Sequence, residues 1–524
     1  MVHTRPVLPA GHGELLADPE VREWPALLEN GRHHATAWEF DVGGVPVAEF
    51  IASARVEAIE AARSFSARLG VAPRDSAGAD GLVVMTGHQP ELYHPGVWVK
   101  DFLLDRIAAD TGATAIDLVV DSDGFDSVVL AAPCMAPVVR RCERSLAVGT
   151  ADACYACTAV PSPDDLSAFC RAGDEMLATL KAPSVRRHFN EFCACLGSAS
   201  KDALNLAELV TFARRRYEAS AGTRYLELPV TSLVRTPSYA RFLSHVALNA
   251  EEFARAYNAE LADFRSVTKV RSAVQPFPDL ARERGRIELP FWHLTEGGRR
   301  TVWAVPGDDG TSICTDGATV AHLPQAPDAA AQALVASGAV LAPKALALTL
   351  YARLFLSDLF IHGVGGARYD RVTDGVVRRF FGVEPPRYAV ASLTVYLPLG
   401  AHLVSEDEVT AATERVNRFE HNPDALLDEV EFDSEDERAA ALDLAAEKRS
   451  LVGTISGPDV DKKATGKRIR EVNAALRALL EPIGRQLEDE RARLAAEREA
   501  AEILTDRTYP FCLWAPEDIA DKVR

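Results

Sequence analysis

Residues 82–120 constrain the fold more than any other stretch of the chain. Leu82-Val83-Val84-Met85 is a short apolar run of the kind a buried parallel strand carries. The next eleven residues, Thr86 to Gly96, read as a loop, and Pro95-Gly96 opens a helix expected over 97–109. Val99, Leu103 and Ile107 share one side of that helix, while Lys100, Asp101 and Arg106 face elsewhere. Gly112 stops it, and Ile116-Asp117-Leu118-Val119-Val120 reads as a second strand. Strand, loop, helix and strand within about 40 residues form the unit of a doubly wound sheet. The expected class is therefore α/β, with a Rossmann-like parallel core.

The rest of the 524-residue chain is arranged around that unit. Residues 1–80 read as a helical lead-in, carried by apolar spacing over 47–69. Residues 81–400 form the expected core, interrupted near 161–271 by a mainly helical insertion. Strand-like segments return at 287–294, 301–305 and 388–397, and 344–356 reads as a buried helix. From 401 to 505 the sequence is rich in Ala, Glu, Arg and Leu. There Ile469, Val472, Leu476, Leu479, Ile483 and Leu487 alternate by three and four, the spacing of a coiled coil. Pro482 and Gly484 predict a break in it. The apolar tail 506–524 is expected to dock on the core.

Charge narrows the partners. With 57 basic and 76 acidic residues the net charge is −19, which disfavours broad nucleic-acid binding but leaves room for a local pocket for one small anion. No window has the apolar length of a membrane helix, and 1–16 lacks the apolar segment of a secretory signal, so a cytoplasmic protein without a membrane partner is expected. In that compartment the nine cysteines read as mostly buried thiols. A zinc site from Cys154, Cys157, Cys193 and Cys195 is the weaker reading, and no metal is expected.

Three segments carry candidate chemistry. The first is Thr86-Gly87-His88-Gln89-Pro90-Glu91-Leu92-Tyr93-His94-Pro95-Gly96, at the carboxyl end of a predicted strand, where open α/β sheets bind ligands. Gly87, Gln89, His94, Gly96 and Lys100 are binding candidates, with the helix end favouring an anion; His88 is a catalytic candidate. The loop has neither P-loop nor dinucleotide glycine spacing, and the alternative is a proline-rich turn with two surface histidines. The second segment, Asp121-Ser122-Asp123-Gly124-Phe125-Asp126, follows the second strand. Asp121 and Asp123 are placed to accept a proton from an amine, against the alternative of an Asp-rich turn; the ligand spacing of a calcium loop is absent. The third is the glycine-rich turn His362-Gly363-Val364-Gly365-Gly366 with Ala367-Arg368-Tyr369-Asp370 after it, ahead of a helix expected near 370–381. There His362, Gly363, Gly365 and Gly366 suggest close backbone approach to a ligand, Arg368 a fixed charge and Tyr369 a stacking face.

In this order, and followed by Phe381-Gly382-Val383-Glu384-Pro385-Pro386, the three segments resemble the bacillithiol-biosynthesis cysteine-adding enzymes. The first motif is also similar to the His-Gln-Pro opening of the WbqC-like proteins. The cysteine-adding family implies a Rossmann-like, nucleotidyltransferase-like core, helical insertions and a carboxy-terminal coiled coil that forms a homodimer. It also implies a carbon–nitrogen ligase-like enzyme joining cysteine or a similar amino acid to the amine of a sugar-containing acceptor, with ATP or ADP as the cofactor candidate. Three positions differ from the family: Gly87-His88-Gln89 replaces Gly-Gln-Gln, Gly363-Val364-Gly365-Gly366 replaces Gly-Pro-Gly-Glu, and Asp123 stands near the family's histidine. These differences suggest another amine or acid as substrate. Nucleotidyl transfer and a non-catalytic nucleotide- or metabolite-binding dimeric scaffold are the rival expectations.

Overall fold

The computed structural model describes residues 8–74, 78–135, 138–150, 152–269, 277–400, 404–457 and 460–524. Contacts divide the chain into two units. One comprises Met1–Cys134, Arg141–Pro398 and Arg507–Arg524, the other Met135–Arg140 and Leu399–Asp506.

The strands of the first unit used below are, in chain order, β1 (Glu14–Asp18), β2 (Val83–His88), β3 (Thr114–Val119), β4 (Leu226–Pro229), β5 (Arg286–Thr295), β6 (Gly298–Gly307), β7 (Gly310–Cys314), β8 (Thr319–Pro324), β9 (Val340–Pro343), β10 (Leu359–His362) and β11 (Ala389–Thr394). Six of them build the central sheet in the order β1-β11-β10-β2-β3-β4. The strands from β11 to β4 run parallel, and β1 pairs antiparallel with β11 as an edge. Ranked along the chain, the parallel strands lie 3-2-1-4-5, an order compatible with a Rossmann-like doubly wound sheet. A second sheet, β8-β7-β6-β5-β9, is wholly antiparallel.

Helices cover the central sheet. Among them are α1 (Trp24–Ala35), α2 (Val47–Ser66), α3 (Pro95–Thr111), α4 (Pro163–Leu177), α5 (Pro183–Ala199), α6 (Leu206–Glu218), α7 (Pro237–Leu248), α8 (Ala250–Thr268) and α9 (Val364–Phe380). The predicted βαβ unit forms as β2-α3-β3, with α3 closed by Gly112 at φ 71°. Pleating splits β2: Val83 and Met85 join an apolar core that includes Phe50 and Ile59 of α2, Phe242 of α7, and Phe291 and Val302 of the second sheet. Thr86, on the opposite face, takes a hydrogen bond from Lys100 of α3.

Two expectations are corrected. The lead-in is not wholly helical, because Glu14–Asp18 supplies the antiparallel edge strand. The segment 161–271 is mainly helical, and β4 within it completes the parallel sheet. The glycine turn after β10 is helical: α9 begins at Val364, so Gly365 and Gly366 sit in its first turn.

The tail packs within the first unit. Phe511 donates its N–H to Tyr93 O at 2.8 Å, and its ring meets Trp98 and Phe192. Tyr217 Oη donates to Trp514 O at 2.7 Å. No helix among the described residues is long and apolar enough to cross a membrane.

The second unit is helical: α10 (Glu406–His421), α11 (Glu435–Thr454), α12 (Lys462–Leu479) and α13 (Glu481–Leu504). One small core gathers Val416, Phe419, Leu426, Leu480 and Leu487, and another gathers Ala441, Val472 and Leu476. The apolar pattern of 469–487 breaks at Leu480, with Pro482 in the first turn of α13 and Gly484 against Phe419.

Candidate active site

The parallel strand order reverses between β2 and β10, and the crevice outside their carboxyl ends is where such sheets bind ligands. His88 ends β2 and His362 ends β10. The pairing of Leu359 with Val84 and Phe360 with Met85 sets the register, and Thr86 Oγ1 donates to Ile361 O at 2.8 Å. Two histidines thus stand at the rim on adjacent strands.

His88 is held as a neutral imidazole. Its pKa is pushed down to about 3, mainly by burial, with the charge of Lys100 adding to the effect. Nδ1 lies 3.2 Å from Gln89 O, which can only accept, so the proton sits on Nδ1 and Nε2 carries the lone pair. The ring meets Tyr93 edge-on at 5.0 Å. Lys100 donates to Gly87 O at 2.9 Å and Thr86 Oγ1 at 3.1 Å; burial lowers its pKa. The imidazole therefore works as a hydrogen-bonding group rather than an anion-attracting charge.

His94 is the N-cap of α3, and its Nδ1 accepts from Gly96 N at 3.0 Å. That amide is satisfied within the chain. A Cβ at Gly96 would lie 2.4 Å from Arg507 Nη2 and 2.7 Å from the His94 ring, so both side chains would have to shift. Arg507, from the tail, donates to Ser392 Oγ and Leu393 O.

The two candidate aspartates divide. Both oxygens of Asp121 accept from Thr231, one from its N–H and one from its hydroxyl, which fastens the turn after β4. Burial raises Asp121 to about 6, with the Thr231 bonds opposing it. Asp123 faces the loop after β2: Gln89 Nε2 donates to its Oδ2 at 2.9 Å, and Arg299 Nη1 of β6 to its Oδ1 at 2.9 Å. Gly124 admits that arginine, because a Cβ would lie 2.1 Å from Arg299 Nη2. Beside them Glu91 accepts from Tyr155 Oη at 2.8 Å, and burial raises its pKa.

On the β10 side, His362 Nε2 lies 2.8 Å from Asp370 Oδ2. Arg353 donates to Asp370 and, at 2.8 Å, to Asp374. Burial pushes Asp370 up, but Arg353 and His362 outweigh it and hold the carboxyl well below its usual range. An ionised Asp370 thus stands within ion-pair distance of the His362 ring. The glycines beyond are open: a Cβ at Gly363 or Gly365 would meet nothing within 4 Å. None of Gly363, Gly365 and Gly366 has positive φ, so their backbones need no glycine freedom. Arg368 is exposed and lies over Tyr369, whose ring meets Phe264 and Phe277. These contacts tie the pair to α8 and residue 277 rather than to the β2–α3 loop.

Beneath the rim lies a buried charge network centred on two arginines outside the three candidate segments. Arg214 of α6 donates to Asp101, Asp117, Glu218 and Glu227 and to Tyr225 Oη. Arg215 pairs with Glu218 and Glu227. Tyr93 Oη donates to Asp101 at 2.9 Å, which links the network to the loop that holds His88. Lys100, Arg214 and Arg215 face four carboxylates, and burial together with Asp117 raises Asp101 to about 8. The sequence signal was a lone acid within each buried strand, Asp117 in β3 and Glu227 in β4.

The cysteines also differ from expectation. Cys134–Cys142 and Cys154–Cys157 are disulfides, and of the free thiols Cys512 is buried whereas Cys170, Cys193, Cys195 and Cys314 are half-buried. Among the described residues no group of three or more His, Cys, Asp or Glu is arranged to hold a metal ion. Two cavities lie away from the rim. One of about 690 Å³ is lined by α4–α5 residues such as Leu180 and Arg187, and one of about 540 Å³ by Glu49, Phe50, Glu57 and Arg241. Neither gathers the paired histidine and carboxylate chemistry of the rim, which remains the better candidate. No protein-family model matches this chain, and no curated protein matches it.

Proposed function

We propose that the chain is a carbon–nitrogen ligase-like enzyme of the bacillithiol-synthesis cysteine-adding type, with a nucleotidyltransferase-like core. It joins cysteine or a similar amino acid to the amine of a sugar-containing acceptor at the rim between β2 and β10. The observation that carries this reading is the placement of His88 and His362 on adjacent strands at the point where strand order reverses. The acidic side of the rim suits an amine. At neutral pH an amine is mostly protonated, so it needs an acceptor before it can attack. Glu91, whose basicity is increased by burial, and Asp123, held by Gln89 and Arg299, are the groups for that task. His88 Nε2 accepts a hydrogen bond from the substrate, and His362, paired with Asp370, ends the neighbouring strand.

Amide formation from a free acid is uphill, and a bound ATP would supply the activation. The open start of α9, with Gly363 as N-cap and Gly365 in the first turn, fits a phosphate, with the helix dipole favouring it. In solution the helices of the second unit would join two copies into a homodimer.

Calorimetry and turnover assays with ATP, ADP and aminosugar malates test the reading. ATP turnover dependent on an amine is expected. Pyrophosphate release with nucleotide incorporation would favour nucleotidyl transfer, and binding without turnover would favour a scaffold. His88→Ala should lower turnover by roughly 10²-fold in a folded protein; unchanged turnover would remove His88 from the mechanism.

A further inference from the structure

Cys154 and Cys157 close a disulfide across a single turn, and that turn is built onto the acidic side of the rim. Tyr155 N–H donates to Asp123 O at 3.2 Å and Ala156 N–H to Asp121 O at 2.9 Å. Tyr155 Oη reaches Glu91, and its ring stacks on Phe125 at 4.5 Å. The following Thr158 accepts from Leu206 N at the start of α6, the helix that carries Arg214. A cross-link between residues three apart restricts the unfolded chain less than a longer loop would. Its effect is therefore local: it closes the turn whose two inner amides, Tyr155 and Ala156, bond Asp123 and Asp121.

The two sulfurs are not equivalent. Cys154 is fully buried, and its Sγ accepts from Cys157 N at 3.2 Å. Cys157 is only half-buried. Cys157 Sγ is thus the atom open to attack, while Cys154 leaves as a thiolate stabilised by an N–H already aimed at it; a better-stabilised leaving thiolate departs faster.

We propose that Cys154 and Cys157 form a thiol–disulfide exchange centre for dithiol reductants, and that its state governs the order of the Asp121–Asp123 turn. A dithiol's thiolate attacks Cys157 Sγ, forming a mixed disulfide and releasing Cys154 as thiolate, which takes up a proton. The reductant's second thiolate then attacks its own sulfur in the mixed disulfide and releases Cys157 as thiolate, which is protonated in turn. The protein disulfide gains two electrons and two protons, and the reductant leaves as its cyclic disulfide. Reduction frees Tyr155 and Ala156 to pull away from Asp123 and Asp121.

The full-length protein, equilibrated in graded ratios of reduced to oxidised dithiothreitol, tests this by alkylation and peptide mass spectrometry alongside amide hydrogen exchange. The pair is expected to reduce while the protein stays folded, with exchange at Tyr155 and Ala156 at least about 10-fold faster and exchange in β2 unchanged. In single variants, Cys157 in Cys154→Ser should alkylate at least about 10-fold faster than Cys154 in Cys157→Ser. A disulfide that yields only on unfolding, equal alkylation rates, or unaltered exchange after reduction would each overturn the proposal. The measurement uses no substrate, so its outcome is separate from that of the ligase reading.

Discussion

His88 shows how burial and one neighbouring charge reset a side chain. The folded protein keeps it neutral down to about pH 3, whereas an unfolded chain protonates it near 6.5. Between those values unfolding takes up a proton at this site. Its contribution to stability is therefore complete above about pH 6.5 and is lost as pH falls towards 3. His88→Asn should flatten the stability–pH slope by one proton, about 1.4 kcal/mol per pH unit, in urea melts between about pH 4 and 6. An unchanged slope would mean the folded ring is already charged. Lys100→Met should raise the His88 pKa in an NMR titration, because the ammonium is the second cause of its depression. Burial remains the larger cause, so the pKa should stay below the ordinary value. The sequence marked His88 as a group of interest, but its pKa depends on Lys100 and on the packing around the loop.

At the scale of elements, α3, α6, β3 and β4 are locked together by Arg214. Replacing it with Met leaves Asp101, Asp117, Glu218 and Glu227 without their main partner, and removing one side of a buried ion pair costs about 3–5 kcal/mol. Chemical denaturation of Arg214→Met should show a loss of that size. Arg214→Lys should not restore it, since an ammonium lacks the planar fork that meets five partners. A variant as stable as the parent would show that these charges contribute nothing net. The βαβ unit was legible because β2, α3 and β3 lie within about 40 consecutive residues and carry their own apolar periods and stop signals. β4 was not: Leu226–Pro229 is four residues long and lies between helices, so only its pairing with β3 makes it a strand. The edge strand at Glu14–Asp18 was missed for the same reason, being short and half-exposed. The glycine segment after β10 was read as a turn, because glycine is a poor helix former and local propensity gave no reason to start α9 at Val364.

For the whole molecule, the last residues return to the first unit. Deleting 508–524 would strip Tyr509, Phe511, Leu513 and Ile519 from their contacts, and each buried large apolar side chain contributes about 1.5–3 kcal/mol. The truncated protein should fail to fold, or melt far below the parent in circular dichroism; an unchanged melt would show that the tail only rests on the surface. Sedimentation equilibrium should give about twice 56.7 kDa if the helical second unit pairs two copies, and a single-copy mass would remove the dimer from the proposed function. The sequence by itself determined the α/β class, the position of the β2–α3 loop, the helical character of the second unit and the apolar tail. These are properties of contiguous residues, whose apolar period and turn chemistry act locally. Only the tertiary structure decided which candidates meet. It set His362 beside β2 through strand pairing, turned Asp121 to Thr231, brought Arg299 from a second sheet onto Asp123, and tied Arg368 and Tyr369 to α8. Asp121 and Thr231 lie 110 residues apart, and Asp123 and Arg299 lie 176 apart. Their meeting depends on strand order and burial, which no local pattern encodes.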